Sequence, residues 1–482
     1  MIVLAALISV LYWTAAVIIG LYSVSQLHLL WRARSLSRAD LPPVDGPELP
    51  AITVQLPLYD ERRVVRSLLL CIGELDWPRL TIQVLDDSTD ETVQIAATTC
   101  AELQAAGVNA QHMRRPDRTG YKAGALAWGL RQTSDEYIAI FDADFRPSPD
   151  FLRLAMAQLL ADQQLGLIQA RWTHINRSES PFTEVLAFHM DAHFSIEQVA
   201  RSRAPMLMGF NGTAGVWRKC CIEAGGGWSG DTLTEDLDLS FRSQLAGWQL
   251  GYLDTLEAPA ELPAQVQAIR SQQHRWMKGG AQVARKLLRT LWASDRTFLT
   301  KLQGTVHLCG GAVFIAVLAL CITSPALPPL IIMEPNTALW LTPASFVLQG
   351  ALAGLTLYYG AMCWRREPTI GRGLLRLMTT LPLFLSLSTG LSLHNSVAVV
   401  EGWLGVQSPF VRTPKRGDAS CERPQYTLSP PGWATWAEVG MAVWSGVGVT
   451  WAIGGGQWVL ATFLISQTLG FGAVALGSLL QR

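Results

Sequence analysis

The sequence predicts an α/β domain, a mostly parallel open sheet with helices on both faces, joined to a multi-pass α-helical membrane domain. Three observations predict it. Strand-like runs alternate with helical stretches between residues 48 and 280, and acidic clusters close several of the apolar runs. A long apolar segment also opens the chain, and more fill its last third. Alternation of strand and helix is the pattern of parallel strands, whose crossovers are helical.

The elements follow in order. Ile52–Leu56, Thr81–Leu85 and Tyr137–Phe141 read as strands, with helices near Arg62–Gly73, Thr92–Ala106 and Lys122–Gln132 between them. In such sheets ligands sit outside the carboxyl ends of the strands. Pro57, Tyr59 and Glu61 end the first strand, and Asp86 and Asp87 end the second. Carboxylates there can accept hydrogen bonds from a base and ribose, and Tyr59 offers a stacking face. Taken singly, these acids serve equally well as turn initiators.

Asp142 and Asp144 close the third strand. Alternation along extended backbone puts both side chains on one side, able to share a divalent ion, Mg²⁺ or Mn²⁺. An isolated D-x-D is more often a solvated turn, so its length alone decides little. Lys122 can add a point charge to the same phosphates. Thr234-Glu235-Asp236 opens a helix expected over Asp236–Leu245. Asp236, with Glu235 second, is the candidate base for removing a proton from an attacking hydroxyl. The competing reading is an acidic first turn stabilised by the helix dipole. Gln272, Arg275 and Trp276 recur at helical spacing, so amide, guanidinium and indole can converge. His189, Asp191 and His193 invite a metal reading, but no third nitrogen or sulfur ligand is near. A packed amphipathic helix over Phe182–Val199 is the better account.

Composition narrows the function. Lys+Arg and Asp+Glu are both 38, so the formal net charge is zero; a nucleic-acid partner, which calls for a basic face, is not expected. The eight cysteines form no C-x-x-C pair, which argues for a reducing compartment over a disulfide framework. A mean hydropathy of +0.23 fits a soluble enzyme fused to membrane helices. Residues 1–34 hold the first span, 48–280 the catalytic domain, 281–304 an interfacial amphipathic helix and 305–482 the membrane domain. Basic residues bracket the apolar runs (Arg32 and Arg34, Arg285 to Lys301, Arg365 to Arg376, Arg412 to Arg423), while the links 325–337 and 454–456 carry none. The positive-inside rule then places all of them on the cytoplasmic face with the catalytic domain, in a plasma or inner membrane. That parity holds if 374–400, rich in Ser, Thr, His and Asn, lies in the membrane plane. Five crossings are expected: 3–27, 305–324, 338–362, 434–453 and 458–480.

Five strings of residues carry a family resemblance: Gln83-Val84-Leu85-Asp86-Asp87-Ser88-Thr89-Asp90, Gly120-Tyr121-Lys122-Ala123-Gly124-Ala125-Leu126, Ile140-Phe141-Asp142-Ala143-Asp144-Phe145, Gly209-Phe210-Asn211-Gly212-Thr213-Ala214-Gly215-Val216-Trp217 and Gln272-Gln273-His274-Arg275-Trp276. Over about Gln55–Lys286 the chain resembles processive family 2 glycosyltransferases, in particular the cellulose-synthase-like mannan and glucan synthases of the A and C groups. The resemblance implies a GT-A fold, a nucleotide-sugar donor (UDP-glucose or GDP-mannose), Mg²⁺ or Mn²⁺, and inversion to a β-linkage. It implies that Glu61 and Asp87 meet the nucleotide, that Asp142 and Asp144 hold the metal–diphosphate, and that Asp236 is the base. Phe210, Asn211, Gly212 and Thr213 would border the acceptor, and Gln272, Arg275 and Trp276 would cradle acceptor and diphosphate. Residues 408–416, with Thr413 and Lys415, resemble a gating loop over the nucleotide. A glycolipid synthase with a lipid acceptor, and a non-catalytic membrane scaffold, are the rival expectations.

Overall fold

The computed structural model describes residues 2–34, 41–46, 48–203, 205–408, 415, 417 and 432–480. Seven strands, β1 (Ile52–Leu58), β2 (Leu80–Asp86), β3 (Ala110–Met113), β4 (Tyr137–Ile140), β5 (Leu165–His174), β6 (Gly215–Arg218) and β7 (Gln249–Ala260), form one sheet in the order β3-β2-β1-β4-β6-β5-β7. β1 runs parallel to β2 and β4, β2 to β3, and β5 to β7; β6 alone is antiparallel to its neighbours β4 and β5. The sheet is therefore mixed and mostly parallel, as expected.

Helices cover both faces, so the central strands are buried throughout and read as near-continuous apolar runs. Ile52, Val54 and Leu56 pack into one core with Val84, Phe151 and Met156. The polar exceptions are paired. Thr53 bonds Asp135, and the Gln55 amide donates to Gln83 Oε1 at 3.0 Å. The helix Tyr121–Arg131 lies directly over that pair, because Gly129 has no side chain to hold it away: a Cβ there would stand 2.7 Å from Gln55.

The predicted helix over Phe182–Val199 is interrupted. Pro181–Ala192 is α-helical, His193–Gln198 forms a π-helical turn, and Val199–Arg203 resumes. The interfacial segment also differs from expectation. Val266–Ala293 is one 28-residue helix that already includes the Gln272 cluster, and Phe298–Leu308 is a second. Its apolar stripe does not face outward. Val283, Leu287 and Leu291 pack against Leu207, Phe241 and Leu308, because the catalytic domain supplies a better apolar partner than the surface does.

Among the described residues, five helices are long and apolar enough to cross a membrane: Val3–Arg34, Ala312–Met333, Asn336–Arg366, Ile370–Gly390 and Trp458–Leu480. Trp433–Gly454, an expected crossing, is helical but outside that set, and Ile370–Gly390, the expected in-plane stretch, is within it. A second helix, Ser392–Leu404, follows at once and packs along Val266–Ala293: His394 Nε2 lies 3.1 Å from the Arg270 carbonyl, and Lys278 bonds Glu401. Ile370–Gly390 touches the helix Pro181–Ala192 and also packs along Trp458–Leu480, where Ser386 bonds Ser466. Arg376 pairs with Glu184 and Asp191, and Phe384 stacks on His189. Further on, Leu387 and Leu391 pack on Val185 and Leu186.

Candidate active site

A cleft of about 200 Å³ opens at the carboxyl ends of β1, β2 and β4. Each strand delivers its residues by ending there. Pro57 lines it from the end of β1, Tyr59 and Glu61 from the loop that follows, Asp87 from just past β2, and Asp142 and Asp144 from just past β4. Asp60, beside Tyr59, takes a left-handed backbone (φ 54°), and its carboxyl accepts from Thr89 N at 2.8 Å. The turn after β1 is thereby tied to the turn after β2.

The two aspartates after β2 divide their roles. Asp86 points inward: it is 2% exposed, accepts from Ser88 N and lies 2.8 Å from His112 Nε2. It shapes the turn and is not part of the cleft wall. Asp87 faces the cleft and is held by both arms of Arg115, at 2.6 and 2.8 Å.

At the next strand end, Lys122 donates to Asp142 Oδ1 at 2.6 Å and to the Gly212 carbonyl at 3.0 Å. Lys415 donates to Asp144 Oδ2 at 2.7 Å, while Asp144 Oδ1 is buried with no hydrogen-bond partner. Burial works against both ammonium groups, yet both are held above the usual lysine range by these carboxylates, Glu235 and Asp236 adding at Lys122. The fit to a divalent ion follows from this set. Seven carboxylates line the cleft against four cationic side chains, and the two strand-end aspartates already take positive charge. Mg²⁺ in particular is held by one or two carboxylates completed by substrate phosphates. The described residues contain no group of three or more Asp, Glu, His or Cys side chains placed to hold a metal ion.

Glu235 and Asp236 open the helix Glu235–Leu245, one residue earlier than predicted. Asp236 Oδ1 accepts from Leu237 N at 2.8 Å, and Oδ2 faces Gly212. Burial first, then the charge of Glu235, pushes the Asp236 carboxyl up to about 7, partly offset by Lys122. Burial also raises Glu235. A carboxyl poised near neutrality is the state a general base requires.

The remaining predicted residues separate into lining and support. Gln272, Arg275 and Trp276 line the cleft from the helix Val266–Ala293, where burial lowers Arg275 against the pull of Glu235, Asp142 and Asp236. Asn211 and Gly212 line it too, but the Asn211 amide is taken by Gln198 and His193 from the π-helical turn. Phe210 and Thr213 are buried behind the wall. Phe210 packs edge-on to Trp217, and the Thr213 hydroxyl accepts from Asp142 N at 2.8 Å. Thr413 lies outside the described residues, as does most of 408–416. His189 reaches the cleft and neighbours Tyr359, whereas Asp191 is bound to Arg376 and His193 to Glu197. Arg118, Trp172, His174 and Glu261 also line the cleft and were not anticipated. Only Arg118 carried a signal, being next to the Gly120-Tyr121-Lys122 string.

This sheet, with its strand-end carboxylates and an arginine–tryptophan helix closing the cleft, defines a GT-A-type glycosyltransferase domain attached to apolar helices. Residues 137–357 match the family described as "Glycosyl transferase family group 2". Among curated relatives it is 40% identical over 275 residues to glucomannan 4-beta-mannosyltransferase 1 of Oryza sativa subsp. japonica, covering 55% of this chain and 53% of that one. It is 43% identical over 245 residues to glucomannan 4-beta-mannosyltransferase 2 of Arabidopsis thaliana, covering 50% and 46%. The chain spans about half the length of these relatives. In fold it is similar to a mannosyltransferase from Pyrobaculum calidifontis solved with GDP-Man and Mn²⁺, with a TM-score of 0.51, 22% identity, and 74% of this chain and all of that one covered.

Proposed function

We infer that the chain transfers a hexose from a nucleotide sugar to a glycan hydroxyl with inversion, building a β-linked polymer, with a mannosyl donor favoured. The observation that carries this reading is the position of Asp236: a buried carboxyl raised to about 7, separated only by Gly212 and Lys122 from the Asp142 carboxylate. The names of the curated relatives support the mannosyl donor and the β-linkage.

In this reading Tyr59, Glu61 and Asp87 receive the nucleoside, and Asp142 and Asp144 hold Mg²⁺ or Mn²⁺ against the diphosphate. The bound ion would neutralise the charge that develops on the leaving diphosphate. Lys122 and Arg275 add fixed positive charge to the same group. As the acceptor oxygen bonds to the anomeric carbon, the bond from that carbon to the diphosphate breaks, and the hydroxyl proton passes to Asp236 Oδ2. Trp276 presents an indole for stacking at the acceptor end, where the cleft continues toward a second cavity of about 360 Å³ between the membrane helices.

The contacts of Ile370–Gly390 along Pro181–Ala192 support a segment lying beneath the catalytic domain in the membrane plane. The contact of Lys415 with Asp144 then agrees with a cytoplasmic catalytic face. The test is a donor screen on the purified protein in lipid with Mn²⁺, using radiolabelled GDP-mannose and UDP-glucose. Water-insoluble radioactive polymer is expected. Label in solvent-extractable lipid would assign a lipid acceptor instead, and no transfer from any donor would end the reading.

A further inference from the structure

Among the described residues, Arg118 is a cleft cation with no carboxylate partner. Lys122 is bound to Asp142, Lys415 to Asp144, and Arg115, behind the wall, to Asp87. Arg118 instead sits over Tyr59, its Cζ 3.2 Å from the ring centroid and 5.1 Å from that of Tyr121. Among the described residues its guanidinium makes no hydrogen bond or ion pair, although seven carboxylates line the same cleft. An arginine offers five N–H donors in a planar fork. Here all five are uncommitted, and the plane covers the aromatic face that a flat heterocycle would use.

The surroundings hold this arrangement in place. Tyr59 precedes Asp60, and Tyr121 begins the next helix; both Asp60 (φ 54°) and Tyr121 (φ 51°) sit in the left-handed region without being glycine. Such strain persists where neighbouring contacts over-determine it, and it concentrates at ligand clamps. Arg115 supplies those contacts, donating to the carbonyls of Thr119 and Tyr121 as well as to Asp87. The segment bearing Arg118 is thus tied to the acid at the end of β2, away from the Asp142–Asp144 pair.

We propose that Arg118 reads the nucleobase of the donor, its guanidinium yielding the Tyr59 face and turning its fork to the base edge, and that this selects guanine over uracil. This rests on the nucleotide-sugar reading above. The chemistry distinguishes the two bases. Guanine presents O6 and N7 as adjacent acceptors, which two parallel arginine donors match. Each uracil carbonyl is flanked by N3–H or a ring C–H or N1, so the second arm of the fork meets no acceptor. Lysine, a point charge on a flexible stem, cannot reproduce the fork.

Calorimetry of the full-length protein in detergent, with Mn²⁺ and either GDP or UDP, tests the assignment. Wild type should bind GDP at least about tenfold more tightly than UDP, the discrimination expected of one bidentate pair. Arg118→Lys, which keeps the charge, and Arg118→Ala should both lose that preference by weakening GDP while leaving UDP within about twofold. Equal loss of GDP and UDP in both variants would make Arg118 a phosphate contact and overturn the proposal. An unchanged preference in Arg118→Lys, or a wild type that favours UDP, would overturn it as well. A wild type that binds neither nucleotide would instead remove the donor reading on which it stands.

Discussion

Gly212 stands directly against Asp236. A Cβ on the glycine would lie 2.8 Å from Asp236 Oδ2, and the glycine's own backbone is left-handed, with φ +81°. The loop after the π-helical turn therefore sets where the candidate base can be. Gly212→Ala should cost about 1–2 kcal/mol of stability from the left-handed backbone, and about 10²-fold in turnover from the displaced carboxylate. Thermal unfolding and radiolabel transfer read the two separately. Unimpaired transfer would show that the Gly212–Asp236 contact does not position the base.

Asp236→Asn keeps the size of the side chain and removes its basicity. Transfer should fall by about 10²–10⁴-fold, the usual share of general base catalysis, while nucleotide affinity with Mn²⁺ changes little. A variant with wild-type turnover would take the base role away from Asp236.

The pH profile follows from the raised carboxyl. Below about 7 the Asp236 carboxyl is protonated and cannot accept the hydroxyl proton; above it the carboxylate is free to do so. The acid limb of kcat/KM, which reports the free enzyme, should accordingly inflect near 7. An ordinary aspartate would place it about three units lower. A flat profile between pH 5 and 8 would contradict the assignment.

Metal removal should abolish transfer, with Mg²⁺ or Mn²⁺ restoring it. Asp144→Asn should raise the Mn²⁺ concentration needed for half-maximal rate at least about tenfold. Turnover undiminished in EDTA would rule out the role given to Asp142 and Asp144.

Arg376 is 8% exposed and joins Glu184, Asp191 and Glu367 across the boundary between the catalytic and apolar parts. Truncating it leaves three carboxylates that Arg177 must neutralise in its place. Arg376→Ala should cost about 3–5 kcal/mol, seen as a lowered unfolding temperature, with Arg376→Lys intermediate. An unchanged unfolding temperature would show that the cluster contributes nothing to holding the two parts together.

Much of the catalytic fold was legible in the chain itself, because local patterning governs it. The runs at 52–58, 80–86 and 137–140 are apolar enough to be buried strands, and each acidic cluster closes one of them. The membrane half was less legible. Hydropathy finds apolar helices but does not say what covers them. Of the stripe Val283, Leu287, Leu288, Leu291 and Trp292, which reads as interfacial, Val283, Leu287 and Leu291 are buried while Trp292 is exposed. Likewise Phe210 and Thr213 sit in a motif that borders the cleft, but the turn directs them into the core.

What the amino-acid order determined unaided was the type of site: strand-end carboxylates, a helix opening with Glu235 and Asp236, and an Arg-Trp helix, all specified by short-range pattern. Tertiary structure alone decided which of them could act. Burial beside Glu235 raises Asp236 toward neutrality, Arg115 secures Asp87 while His112 and Ser88 hold Asp86 away from the cleft, and Arg118 is left on the Tyr59 ring with its donors unspent. Apart from the near neighbours Glu235 and Ser88, those outcomes depend on the pairs Asp86–His112, Asp87–Arg115 and Tyr59–Arg118, 26 to 59 positions apart, and charge and desolvation act through space, where sequence spacing carries no information.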